Sequence, residues 1–238
     1  SHKDYSLGFR DDQVEWLRQD LSYVSKDKMV ILCVHIPMRA SGNQNVQAVF
    51  ELLKPFAEVH VMSGHTHYAE NNVYDSHYEH VHGAACGAWW NSTINVDGTP
   101  NGYAIYNIKG ATITDWVYKG TGLDAQQQIR LYRANDIFMR DYSKNYQFYY
   151  KGDDQIVANV WNADKDWKIE VYENGIKTGE MTHFDYTGNE KDKSWDAWAL
   201  GYHIGVVGKA ELDSNKKPTS YYQRNVRHLY YYTLQSPT

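Results

Sequence analysis

The segment Ser63-Gly64-His65-Thr66-His67 constrains this chain most, because it ends one apolar run and follows Val34-His35-Ile36-Pro37 by about thirty residues. Both runs, residues 29–34 and 59–62, are short and continuous, as expected for strands covered on both faces. Between them, residues 45–56 place Val46, Val49, Phe50 and Leu53 on one side of a predicted helix. An earlier helix, capped by Asp11-Asp12, repeats Val14, Leu17, Leu21 and Val24 at helical spacing. Strand, helix, strand in this order implies a parallel crossover in an α/β layer. Ligands bind where the strand ends of such layers converge. A single histidine at a strand end is ordinarily a satisfied polar residue. Three at two converging ends, His35, His65 and His67, point to a metal. Neutral imidazoles suit zinc, iron or manganese, and alternate residues of an extended loop can face two adjacent ions. Gly64 is expected to give the backbone room for the turn.

From Val73 onward the pattern changes to short strands at residues 73–74, 80–82, 102–108 and 112–118, with Lys109-Gly110 as a hairpin turn. Residues 120–128 interrupt the periodicity with glycine and polar side chains and read as a domain junction. Further strands are expected near 129–132, 155–161, 168–173, 198–202 and 224–234, with Asn174-Gly175 as a second hairpin signal. With no convincing helix among them, they read as an antiparallel β-sandwich. The expected organisation is therefore an α/β unit over residues 1–122 and an all-β accessory unit over 128–238.

The histidine blocks resemble those of the calcineurin-like metallophosphoesterases, with residues 13–21 similar to the helix that leads into them. The run Gly83-Ala84-Ala85-Cys86-Gly87-Ala88-Trp89-Trp90, then Asp97-Gly98-Thr99-Pro100-Asn101-Gly102-Tyr103, is similar to a bacterial subgroup with a C-terminal β-domain. The resemblance implies the C-terminal half of a metallophosphoesterase α/β sandwich. By it, His35 and His65 would ligate one ion and His67 a second. It further implies a Ser/Thr-phosphatase-like hydrolase of phosphomonoesters or phosphodiesters, exported to the periplasm or cell surface.

The family's earlier blocks, Asp-x-His, Gly-Asp-x-x-Asp and Gly-Asn-His, are missing in their expected order. Asp75-Ser76-His77 comes too late, Gly152-Asp153-Asp154 has no second acid in place, and Gly188-Asn189-Glu190 lacks the histidine. The chain is thus expected to begin partway through a catalytic domain. The parent would hold two ions of iron, manganese or zinc. This chain would bind at most one, weakly, and be inactive alone, for want of a bridging carboxylate.

Other residues have weaker claims. Arg39 could meet a substrate phosphate, His80 and His82 alternate along one strand face toward the cleft, and Trp89 and Trp90 could wall the pocket. Trp161, Trp167, Trp195, Trp198, Tyr221-Tyr222 and Tyr230-Tyr231-Tyr232 would offer stacking surfaces for carbohydrate. That gives the alternative of a non-catalytic carbohydrate- or polymer-binding module on a remnant scaffold. A net charge of −5 gives no reason to expect nucleic acid. No apolar run reaches the ~18 residues of a membrane-spanning helix. The two cysteines, Cys33 and Cys86, lack disulfide or metal spacing, and Cys33 reads as a buried small hydrophobe.

Overall fold

The computed structural model describes residues 7–38, 43–88, 90–133, 154–184, 195–205, 207 and 225–235; Arg39, Trp89 and Tyr221-Tyr222 lie outside them. Helix α1 (Asp11–Ser22) buries Val14, Leu17 and Leu21, as its spacing predicts. Arg10, not Asp11, takes the N-cap position, and its backbone N–H donates to Gln13 Oε1 at 3.0 Å. Asp11 and Asp12 then fall in the first turn, where negative charge favours the helix dipole. Strand β1 (Met29–Cys33), helix α2 (Val46–Leu53) and strand β2 (Glu58–Ser63) form the crossover, with β1 and β2 parallel. Strands β3 (Glu70–Val73) and β4 (Tyr78–Val81) complete a mixed sheet of order β1-β2-β4-β3.

The two faces of this sheet differ. Val30, Leu32, Val59 and Val61 pack with α1 and α2 in one apolar core. The opposite face carries Glu58, His60, Tyr78 and His80, and takes the hairpin of β5 (Gly102–Lys109) and β6 (Thr112–Gly120) through Tyr106 and Trp116. Gly110 turns that hairpin at φ +65°, a conformation glycine adopts without a Cβ clash. The expectation that β1 is covered on both faces fails. It is an edge strand, half-buried along its length, and Cys33 is exposed because no described segment covers that side.

The C-terminal part is a four-stranded antiparallel sheet of order β11-β12-β8-β7, from β7 (Ile129–Arg133), β8 (Gln155–Val160), β11 (Thr182–His183) and β12 (Leu229–Thr233). Central β8 is buried on both faces. Ala158 and Val160 point to the hairpin of β9 (Glu170–Glu173) and β10 (Ile176–Glu180), where Val171 and Met181 await them. Asn174 and Gly175 turn that hairpin with φ of 52° and 81°, the pair of positive angles a type I′ turn requires.

Val157 points the other way, and here the sequence reading is wrong. Residues 198–202 are not a strand but part of helix α3 (Ala197–Gly205). Its side chains at Ala197, Ala199, Leu200 and His203 are all buried, so no polar stripe marks a helical period. The local signal was Asp196, which caps it by accepting from Ala199 N at 2.9 Å. Among the described residues the four-stranded sheet is covered by a helix on one face and a hairpin on the other. Aromatics fill these layers. Trp161 and Tyr230 are buried, and Trp198 is half-buried beneath the Arg130 guanidinium, 3.8 Å from its ring.

Polar groups tie the two parts together. The Asp97 carboxylate accepts from Ala69 N (2.7 Å), Thr99 N (3.1 Å), Thr99 Oγ1 (2.8 Å) and His228 Nε2 (3.1 Å). Asn159 Nδ2 donates to Asp97 O at 2.7 Å and to Asp196 Oδ2 at 2.5 Å. Gly98 lies in this knot at φ +88°, and a Cβ there would stand 2.6 Å from Asp196 Oδ2 and 2.8 Å from Asn159 Nδ2. Gly98→Ala is expected to cost at least about 3 kcal/mol, combining left-handed strain with a broken buried network. Gly122→Ala, at φ +75° in open space, is expected to cost only about 1 kcal/mol. Urea unfolding midpoints of the two variants check the difference.

Candidate metal centre

The parallel ladder between β1 and β2 runs past the strand ends. Val34 N donates to Met62 O at 2.9 Å and Gly64 N to His35 O at 3.0 Å. That last bond sets the two histidine loops side by side. His65 Nδ1 and His35 Nε2 meet at 2.9 Å, one ring donating to the other, with ring centroids 4.8 Å apart. Two nitrogens on one ion at about 2.1 Å each lie about 3 Å apart, so this pair is already spaced for a shared metal.

The turn is tighter than expected, and in a different place. Gly64 has no positive φ and a Cβ there would touch nothing. The left-handed residues are His65 (φ 68°) and His67 (φ 55°). Each such non-glycine residue costs about 1–3 kcal/mol and persists only where its surroundings over-determine it. Here Thr66 N donates to Gly64 O (2.7 Å), Val96 N to His67 O (3.2 Å) and His82 N to Ser63 O (2.8 Å). Asp97 fixes the exit of the loop through Ala69 N.

His67 Nδ1–H donates to Gly87 O at 2.7 Å. A carbonyl can only accept, so the neutral ring carries its lone pair on Nε2, the arrangement found behind metal-binding histidines. Burial, and then the neighbouring charges of His35 and His67, hold His65 below the usual imidazole range. All three histidines line one open cleft of about 390 Å³ with Gly64, His82, Gly83, Ala84 and Trp90. Among the described residues no carboxylate lines it, and no cluster of three His, Cys, Asp or Glu side chains closes a metal site. The donors present fit the nitrogen half of a mixed nitrogen and oxygen set.

The weaker candidates separate. His82 reaches the cleft, but both its nitrogens are engaged: Nδ1 with Ser63 O at 3.0 Å and Nε2 with Tyr106 Oη at 2.7 Å. His80 does not reach it. It is almost wholly buried, between Tyr78, Tyr106 and Trp116, and its Nε2 meets His60 Nδ1 at 2.9 Å. His60 Nε2 in turn meets Glu58 Oε1 at 2.7 Å. Sequence reasoning missed this Glu58–His60–His80 file, because it depends on the register that pairs β2 with β4. It also missed that Asp97, singled out for the resemblance of its segment, anchors the histidine loop.

Comparison with protein families finds a match to the model of the C terminal of calcineurin-like phosphoesterase over residues 79–237. The chain belongs to this family. The matched span begins within β4, so it includes His80, His82, Trp90 and Asp97, while His35, His65 and His67 precede it. No curated protein matches the chain.

Desolvation holds the His80 pKa down to about 3. The unfolded chain therefore binds a proton there that the folded chain refuses between pH 6.5 and 3. Stability from this group is full above pH 6.5 and is lost as pH falls, by about 1.4 kcal/mol per unit. Urea titrations from pH 7 to 4 are expected to show that slope. His80→Gln, which keeps a donor for His60, is expected to reduce it by one proton; an unchanged slope would place the acid sensitivity elsewhere.

Proposed function

We propose that this chain supplies the histidine half of a metal-dependent phosphoester hydrolase, and that the acids completing the centre come from other residues of the parent protein. One observation carries the reading: His35 Nε2 and His65 Nδ1 lie 2.9 Å apart, with His67 in the same cleft. Family membership supports it, since the C-terminal unit is the one that accompanies calcineurin-like phosphoesterases.

In this reading His35 and His65 hold one ion, and His67 faces the second. Bound ions of this kind act as Lewis acids on phosphate oxygens and on the attacking water. The chain's own residues orient and shield. The Gly87 carbonyl holds the His67 tautomer, and Gly64, Gly83 and Ala84 keep the cleft wall free of bulk where a phosphate would approach. His82, held by Ser63 and Tyr106, closes the inner end as a fixed polar wall. The accessory unit braces the histidine loop through the Asp97–His228 contact and through Leu200 of α3 against Ala88 and Val96. Among the described aromatics read as stacking surfaces, Trp161 and Tyr230 are buried, Trp195, Trp198, Tyr231 and Tyr232 are half-buried and Trp167 is exposed, a distribution that favours bracing over carbohydrate capture.

Purified alone, the chain is expected to bind one Zn²⁺ or Mn²⁺ weakly and to show no phosphatase turnover. His65→Ala is expected to weaken metal binding at least tenfold, as removal of one of a few ligands does. Titration calorimetry and a phosphomonoester assay check both statements. Turnover by this chain, abolished by His67→Ala, would overturn the division of the centre. Metal binding indifferent to His65 would overturn the site itself.

A further inference from the structure

Trp90 combines three properties that rarely occur together. Its backbone sits at φ +60°, a region bulky residues avoid. Its side chain is nevertheless 73% exposed, so burial of the indole does not account for the strain. And the indole stands edge-on to His67, with centroids 5.8 Å apart and planes at 68°.

The loop sets this conformation from both sides. Gly87 N donates to Ala84 O (3.0 Å), Ala88 N to Ile94 O (2.9 Å) and Asn91 N to Ala88 O (3.0 Å). Asn101 Nδ2 donates to Ser92 O at 3.1 Å. The backbone is thus clamped while the ring projects over the cleft. The other lining groups near the histidines are Gly64, Gly83 and Ala84, which present backbone and at most one methyl. Among the described residues the cleft is an open slot whose lining carries the Trp90 indole and the histidine rings, with no carboxylate or ammonium.

We propose that Trp90 is a specificity-determining platform that stacks on a planar aromatic group of the phosphoester. This rests on the phosphoesterase reading and deepens it by naming the substrate class. With the phosphate beside the histidines, an ester group lying on the Trp90 side meets the indole, where a flat ring gains stacking and dispersion and a small aliphatic group gains little.

The test uses the full 238-residue chain loaded with Zn²⁺, and compares phenyl phosphate, glycerol 2-phosphate and inorganic phosphate by titration calorimetry. Phenyl phosphate is expected to bind about three- to tenfold more tightly than glycerol 2-phosphate. Trp90→Ala is expected to erase that ratio while leaving inorganic phosphate and Zn²⁺ binding unchanged, and Trp90→Phe to keep most of it. Trp90→Gly, which suits the positive φ, is expected to fold at least as well as the parent and still lose the ratio. A ratio of one in the parent, or a ratio that survives Trp90→Ala, overturns the proposal alone. Equal loss of all three ligands together with Zn²⁺ makes Trp90 a loop support and also overturns it. Failure of the parent chain to bind Zn²⁺ overturns the phosphoesterase reading, and this proposal with it.

Discussion

The structure depends on the buried carboxylate of Asp97. It accepts four hydrogen bonds from three places: the exit of the histidine loop at Ala69, its own turn at Thr99, and His228 just before the last strand. A buried carboxyl group is tolerable only with its partners in place, and removing it would strand donors in all three segments at once. The consequence is mechanical as much as energetic. The loop that presents His65 and His67 is tied through Asp97 to His228, 131 residues further on and next to the first residue of β12. The accessory unit is thereby part of what shapes the cleft.

That coupling joins two different stretches of chain. The family match begins at residue 79, whereas His35, His65 and His67 lie wholly before it. Helix α3 closes the gap. Leu200 packs on Ala88 and Val96, and Thr93 Oγ1 lies 3.0 Å from Tyr202 Oη. The segment between these contacts carries Trp90, which stands edge-on to His67, and follows directly on Gly87, whose carbonyl orients that ring.

What was legible in the sequence was what local physics decides. The β1–α2–β2 crossover followed from apolar periodicity, and the Lys109-Gly110 and Asn174-Gly175 turns from residues that tolerate positive φ. Helix α3 was illegible because its less buried face carries the aromatics Trp198 and Tyr202 and no polar stripe, and its one local cue, the Asp196 cap, is a single residue. The exposure of Cys33 follows from β1 being an edge strand, a property of topology that no window of residues contains. The grouping of His35 with His65 was anticipated. Gly64 was credited with the turn's strain, yet its histidine neighbours bear it, because a Gly-His-x-His motif does not say which residue takes the left-handed angle.

That misplaced strain bears on how such a loop can change over time. Glycine would relax the backbone at both 65 and 67, and asparagine would come close. A sequence drifting without use for the imidazoles would therefore gain stability by losing them, one at a time and with no compensating change elsewhere. Histidine at both left-handed positions is the less stable solution, held against a downhill path that a single substitution opens.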